Sequence, residues 1–89
     1  MIIYANMKVF WTNSAVKKFK KFDKNTKYLI DKKIKFWFSQ QNPLKFAIQM
    51  AGIKPVIFRF RINNIRIIGK LIENNFIIFN IGKRSEIYK

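Results

Sequence analysis

The chain reads as an α+β domain of order β-α-α-β-β-β, a helical hairpin packed on one face of a small, twisted, largely antiparallel sheet. Three observations predict this. Two stretches between residues 13 and 40 repeat their apolar residues at helical spacing. Three later runs are rich in β-branched and aromatic residues, the first alternating with a period of two, and the first two of them are joined by only two residues, Asn63-Asn64. At 89 residues, the chain is expected to form a single domain, 1–89, with a modest core.

The elements follow in order. Residues Met7 to Thr12, "MKVFWT", read as a short strand; Met7 is expected to be the true start, with residues 1–6 a leader that contributes little. Asn13 or Ser14 is expected to cap a first helix whose apolar residues Ala15, Val16, Phe19 and Phe22 keep helical spacing. Lys17, Lys18, Lys20 and Lys21 fall mostly on its other side, where lysine usually serves solubility. Asp23 caps a second helix running to about Gln40, with Tyr28, Ile30, Ile34, Trp37 and Phe38 facing inward. An aromatic stripe at this spacing is read as core rather than as a base-stacking platform. Pro43 and Pro55 bracket a loop, "PLKFAIQMAGIKP". Three strands follow, Val56–Ile62, Ile65–Ile72 and Phe76–Ile81, the last two joined by a turn, "ENN" or "NN", around Asn74-Asn75.

The first of these turns determines a face. Asparagine tolerates positive φ, so Asn63-Asn64 is expected to form a type I′ hairpin turn. Ile62 then faces Ile65, and Arg61 faces Arg66. Arg59, Arg61, Arg66 and Lys70 share one side, while Phe58, Phe60, Ile65, Ile67 and Ile78 lie on the other, under the helices. Ile57, Ile68, Ile77, Phe79 and Ile81 are expected on or near the arginine side. Like charges directly opposite one another destabilise a sheet. With only four acidic residues in the chain, internal relief is scarce, and a face left open to solvent points to an external anion.

Composition agrees. Nineteen Lys+Arg against 4 Asp+Glu give a net charge of +15, which implies a polyanionic partner, while a hydrophobic fraction of 49% supports a folded chain. All four arginines lie in the second half, and arginine's planar fork suits bidentate phosphate contacts. The chain has no cysteine and no histidine, which removes disulfides, thiol nucleophiles, Cys/His zinc sites and a histidine acid–base pair. Asp23, Asp31, Glu73 and Glu86 are dispersed, against a paired-carboxylate hydrolase or a magnesium nuclease. Isolated glycines make no phosphate-binding loop, so neither metal nor cofactor is expected. No apolar run reaches membrane-spanning length, and the first residues lack the pattern of a signal peptide. The cytoplasm is the expected location.

The sequence resembles the RelE/ParE superfamily of bacterial toxin–antitoxin toxins over nearly the whole chain from Met7. The carriers are "VFWTNSAVKKFKKF", the "NP" after the second helix, "MAG", "FRFRINNIRII" and "IGKRSEIYK". On the RelE side, the resemblance implies a metal-independent, ribosome-dependent mRNA endonuclease that cuts in the A site by attack of a ribose 2′-OH on the adjacent phosphate. It also implies a cognate acidic antitoxin. The implied catalytic residues are Arg59, Arg66, Arg84 and Tyr88, and Arg59, Arg61, Lys70 and Lys83 are the implied nucleic-acid contacts. Two positions depart from the family pattern. Ile57 stands where RelE has lysine, and Lys83 stands where many relatives have histidine, leaving Lys83 or Lys70 as compensating cations. The ParE branch shares the fold but inhibits DNA gyrase and lacks a nuclease site. An inactive basic RNA-binding relative is the other alternative.

Overall fold

A computed structural model describes residues 7–51 and 54–87. Strand β1 (Lys8–Trp11) leads into helix α1 (Asn13–Lys20) and helix α2 (Lys24–Phe38). A 3₁₀ turn (Pro43–Phe46) and strand β2 (Ile48–Ala51) follow. Strands β3 (Val56–Ile62), β4 (Ile65–Ile72) and β5 (Asn75–Lys83) and a single helical turn, α3 (Arg84–Ile87), complete the chain. The α+β class and the six expected elements are borne out; β2, the 3₁₀ turn and α3 are additions.

The sheet order is β1-β5-β4-β3-β2, antiparallel from β2 through β5, with β1 parallel to β5 at its edge. Trp11 pairs with Ile78, and the chain turns into α1 just beyond. The rest of β5 is flanked by α1 instead, where Lys18 Nζ donates to Asn80 Oδ1 at 2.7 Å. Both helix starts are capped by side chains, which satisfy amide groups that have no partner within the helix. Thr12 Oγ1, one residue earlier than expected, accepts from the Ala15 N–H at 3.2 Å. Asp23 Oδ1 accepts from the Thr26 N–H at 2.7 Å, as expected. That bond holds the Asp23 carboxyl below its ordinary pKa, because it favours the charged form.

The β3–β4 register matches the sequence reading: Ile62 faces Ile65, and Arg61 faces Arg66. The turn differs in detail. Only Asn63 has positive φ, 52°, whereas type I′ needs it at both loop positions. The next turn is Glu73-Asn74, within the "ENN" alternative, with Glu73 at φ 55°.

The core lies between the helices and the inner sheet face. Phe60, Ile67, Phe76 and Ile78 are essentially inaccessible there, and Trp37 and Phe38 descend onto them from α2. Trp37 stacks on Phe60 with centroids 4.5 Å apart; Phe60 meets Phe76 edge-on at 5.5 Å, and Phe38 touches both rings. Each such pair contributes about 0.5–1.5 kcal/mol beyond its buried area. The Phe76 ring lies over Gly69 and requires a glycine there: a Cβ on Gly69 would lie 2.4 Å from the ring and 2.9 Å from the Ile77 carbonyl oxygen.

Tyr28 and Ile81 depart from their expected burial. Tyr28 is 69% exposed rather than facing inward. Ile81 is fully buried opposite Ile67, because a bulge between Ile68 and Gly69 shifts β5 by one residue and returns it to the core.

Candidate nucleic-acid interface

The outer sheet face carries the cations through simple parity. Arg59 and Arg61 alternate with core residues on β3, and Arg66, Ile68 and Lys70 occupy the matching positions on β4. Arg61 is exposed, while Arg59 and Lys70 are half-buried. Ile57 sits opposite Lys70, and Ile77 flanks Lys70 on the other side, so these apolar residues do share the face.

The face is not open along its whole length. Arg66 is only 7% exposed, contrary to its expected place on an open surface. Its neighbour in β5 is Gly82, and a Cβ there would meet Ile87 Cδ1 at 3.4 Å and Glu86 Cβ at 3.7 Å. α3 therefore folds back over this end of the arginine face. Arg66 Nη1 turns towards its own hairpin, donating to the Asn63 carbonyl at 2.8 Å and the Ile65 carbonyl at 3.2 Å. These bonds hold one end of the guanidinium despite the like charge of Arg61 directly opposite.

α3 is anchored by two contacts. The Arg84 N–H donates to the Asn64 carbonyl at 2.7 Å, tying the β3–β4 turn to the end of β5. Glu86 Oε1 accepts the Lys83 N–H at 3.2 Å, the backward half of a capping box. Asn64, Lys83, Arg84 and Ser85 line a cavity of 480 Å³ at this end. Asn64 was not singled out as a site residue from the sequence; nothing but its place in the turn marks it.

Arg61, Arg66, Lys83 and Arg84 all lie at one end of the sheet, although Lys83, paired with the core residue Ile65, falls on the helix side rather than on the arginine face. Arg59 stands two residues further along β3. Lys70 stands four residues from Arg66 on β4, a separation of about 13 Å at the usual strand rise, and does not join the cluster. Tyr88 lies outside the described residues. Among the described residues, no three of His, Cys, Asp or Glu are grouped as a metal site would need. No helix among them is long and apolar enough to cross a membrane.

The fold is that of solved toxin structures. A chain of the archaeal RelE–RelB complex from Pyrococcus horikoshii OT3 superposes with a TM-score of 0.72 at 18% identity, covering 88% of this chain and 94% of that one. For the RelB–RelE antitoxin–toxin complex from Methanococcus jannaschii the values are 0.72 and 20%, with 90% and 95% covered. The isolated E. coli RelE toxin gives 0.67 and 17%, with 92% and 90% covered. The chain has the RelE fold, and the resemblance read from its sequence is borne out at that level. No protein-family model matches the chain, and no curated protein matches it significantly.

Proposed function

We propose that this protein is the toxin of a toxin–antitoxin pair and acts as a metal-independent, ribosome-dependent mRNA endonuclease in the cytoplasm. The observation that carries the reading is that Lys83 and Arg84 line a cavity between the hairpin turn and α3 at the end of a RelE-fold sheet where Arg61 and Arg66 pair across the adjoining hairpin. Cleavage by 2′-OH attack needs little more than charge and a base. The 2′ oxygen attacks the adjacent phosphorus, the bond to the 5′ oxygen breaks, and the upstream strand is left with a 2′,3′-cyclic phosphate. Arg66 and Arg84 neutralise the charge that builds on the phosphoryl oxygens, where fixed donors act most strongly. Arg59 and Arg61 hold the strand along the sheet, and Lys70 contacts a phosphate away from the cut.

With no histidine in the chain, Tyr88 takes the proton from the 2′-OH. Neighbouring cations lower a phenol's pKa from about 10 and favour the phenolate this requires. Lys83 stands in the cluster to protonate the departing 5′ oxygen. The +15 charge suits an acidic antitoxin, and solved neighbours of this fold include complexes of RelE with RelB.

One observation favours a second reading. Arg66 is buried and bonded to its own turn, which suits a structural arginine and hence a ParE-type inhibitor of DNA gyrase. Purified protein added to a reconstituted translation reaction and, separately, to a gyrase supercoiling assay distinguishes them. The nuclease reading expects mRNA cut only when it is being translated and supercoiling left intact. Intact mRNA with supercoiling blocked overturns it in favour of the second.

A further inference from the structure

A second cleft adjoins the arginine cluster. It lies between the α1–α2 junction and the β5–α3 junction, has a volume of 610 Å³, and shares Asn64 and Lys83 with the cavity at Arg84. The two are therefore contiguous. Its far wall carries Lys18 and Lys21, residues that the sequence pattern assigns to solubility. We propose that this cleft binds the sugar-phosphate backbone of the RNA strand flanking the cut, with Lys18, Lys21 and Lys83 as its phosphate contacts. The proposal rests on the nucleic-acid reading of the arginine face and extends it around the end of the sheet.

Three features support it. A polymeric substrate placed at Arg84 must leave the site in both directions, and the cleft is a continuous basic exit. Lys18 and Lys21 are three residues apart at the end of α1, so their side chains emerge on one face as adjacent like charges, an arrangement that costs stability unless an anion lies between them. Lys18, though exposed, has its side chain fixed by its bond to Asn80. The carboxylates that line the cleft each have a backbone N–H to bond, Asp23 that of Thr26 and Glu86 that of Lys83. Three lysines, Lys18, Lys21 and Lys83, line the cleft against the two carboxylates Asp23 and Glu86, an excess of positive charge that suits an anion.

The test is fluorescence anisotropy with the full chain and labelled single-stranded 2′-O-methyl RNA, which 2′-OH attack cannot cut. A short RNA of about three nucleotides and a longer one of about nine are titrated over a range of salt. Each phosphate contact in a single strand contributes roughly 0.7 to the slope of log affinity against log salt. For the longer RNA, Lys18→Gln/Lys21→Gln is expected to lower that slope by about 1.4, with the short RNA unaffected and the melting temperature unchanged. Lys32→Gln/Lys33→Gln, further along α2, removes the same charge and is expected to leave the slope near wild type. Equal effects from the two pairs would mean diffuse attraction and overturn the proposal. An unchanged slope in Lys18→Gln/Lys21→Gln, with a reduced one in Arg61→Gln, overturns the cleft alone and leaves the arginine face standing. Failure of the wild type to bind RNA overturns both. Binding of a polyglutamate peptide that depends on Lys18 and Lys21, where RNA binding does not, assigns the cleft to an acidic protein segment and equally overturns it.

Discussion

Replacing Arg66 by alanine is expected to lower stability as well as any activity, because this arginine is built into the hairpin. Its Nη1 bonds two backbone carbonyls, those of Asn63 and Ile65. Hydrogen bonds from a charged donor contribute about 1.5–3 kcal/mol each, and less where water can replace the donor. The Asn63 bond is partly exposed and lies at the low end, while the Ile65 bond is buried. Removing the like charge opposite Arg61 returns up to about 1 kcal/mol. The net loss is about 1–3 kcal/mol. For a domain of this size each kcal/mol moves the melting temperature by roughly 4–8 °C, so Arg66→Ala should melt about 5–20 °C below wild type. Circular dichroism melts and urea titrations measure this, with Arg66→Lys between the two because it keeps the charge but loses the planar fork. Cleavage must then be compared at equal folded fraction. A melting temperature equal to wild type would refute the reasoning and return Arg66 to a solvent-facing role.

Further expectations concern packing, pH and chemistry. Gly69→Ala drives a methyl into the Phe76 ring, which Phe38 and Phe60 hold in place, and should cost about 1–3 kcal/mol or more by denaturant titration; an unchanged midpoint would show that the ring moves aside. Asp23 has a depressed carboxyl pKa in the folded state, so the unfolded chain binds the extra proton first. Its cap contribution is complete above the ordinary value of 3.8 and is lost as pH falls below it, a decline that Asp23→Asn should flatten in melts taken through that range. Tyr88→Phe removes only a hydroxyl and should preserve folding while slowing single-turnover cleavage on the order of 10²–10⁴-fold. Wild-type cleavage by that variant would move the base to Lys83, Lys70 or the ribosome.

How much of this was legible depended on regular spacing. The period of two placed β3 and β4 to the residue, and the two-residue link fixed their register, so the Arg61–Arg66 opposition could be read directly. The same logic failed where the period breaks. The bulge at Ile68/Gly69 advances β5 by one residue and carries Ile81 from the outer face into the core, which no count of alternation reveals. β2 is four residues long, with a register shift between Gln49 and Ala51, too short and irregular for alternation to register. Tyr28 was placed inward because α2 has more apolar residues than one stripe accommodates; the core selected Ile30 and Trp37, leaving Tyr28 and Phe36 outside. Arg66 is buried at the end of the face where Ile87 and Glu86, from a helix of only four residues, pack beside its neighbour Gly82, and that docking is a tertiary event. The pairing of Arg61 with Arg66 was therefore readable, but the burial of Arg66 was not.

The most direct measurement of the central claim is the chemistry of the cut ends. Purified protein is added to ribosomes stalled on a defined mRNA, and the upstream fragment is analysed by mass spectrometry. Attack by the 2′-OH expects a cut at the A-site codon and an upstream fragment ending in a 2′,3′-cyclic phosphate, or in the 3′-phosphate that forms when it opens. An upstream fragment ending in a 3′-hydroxyl would contradict the account.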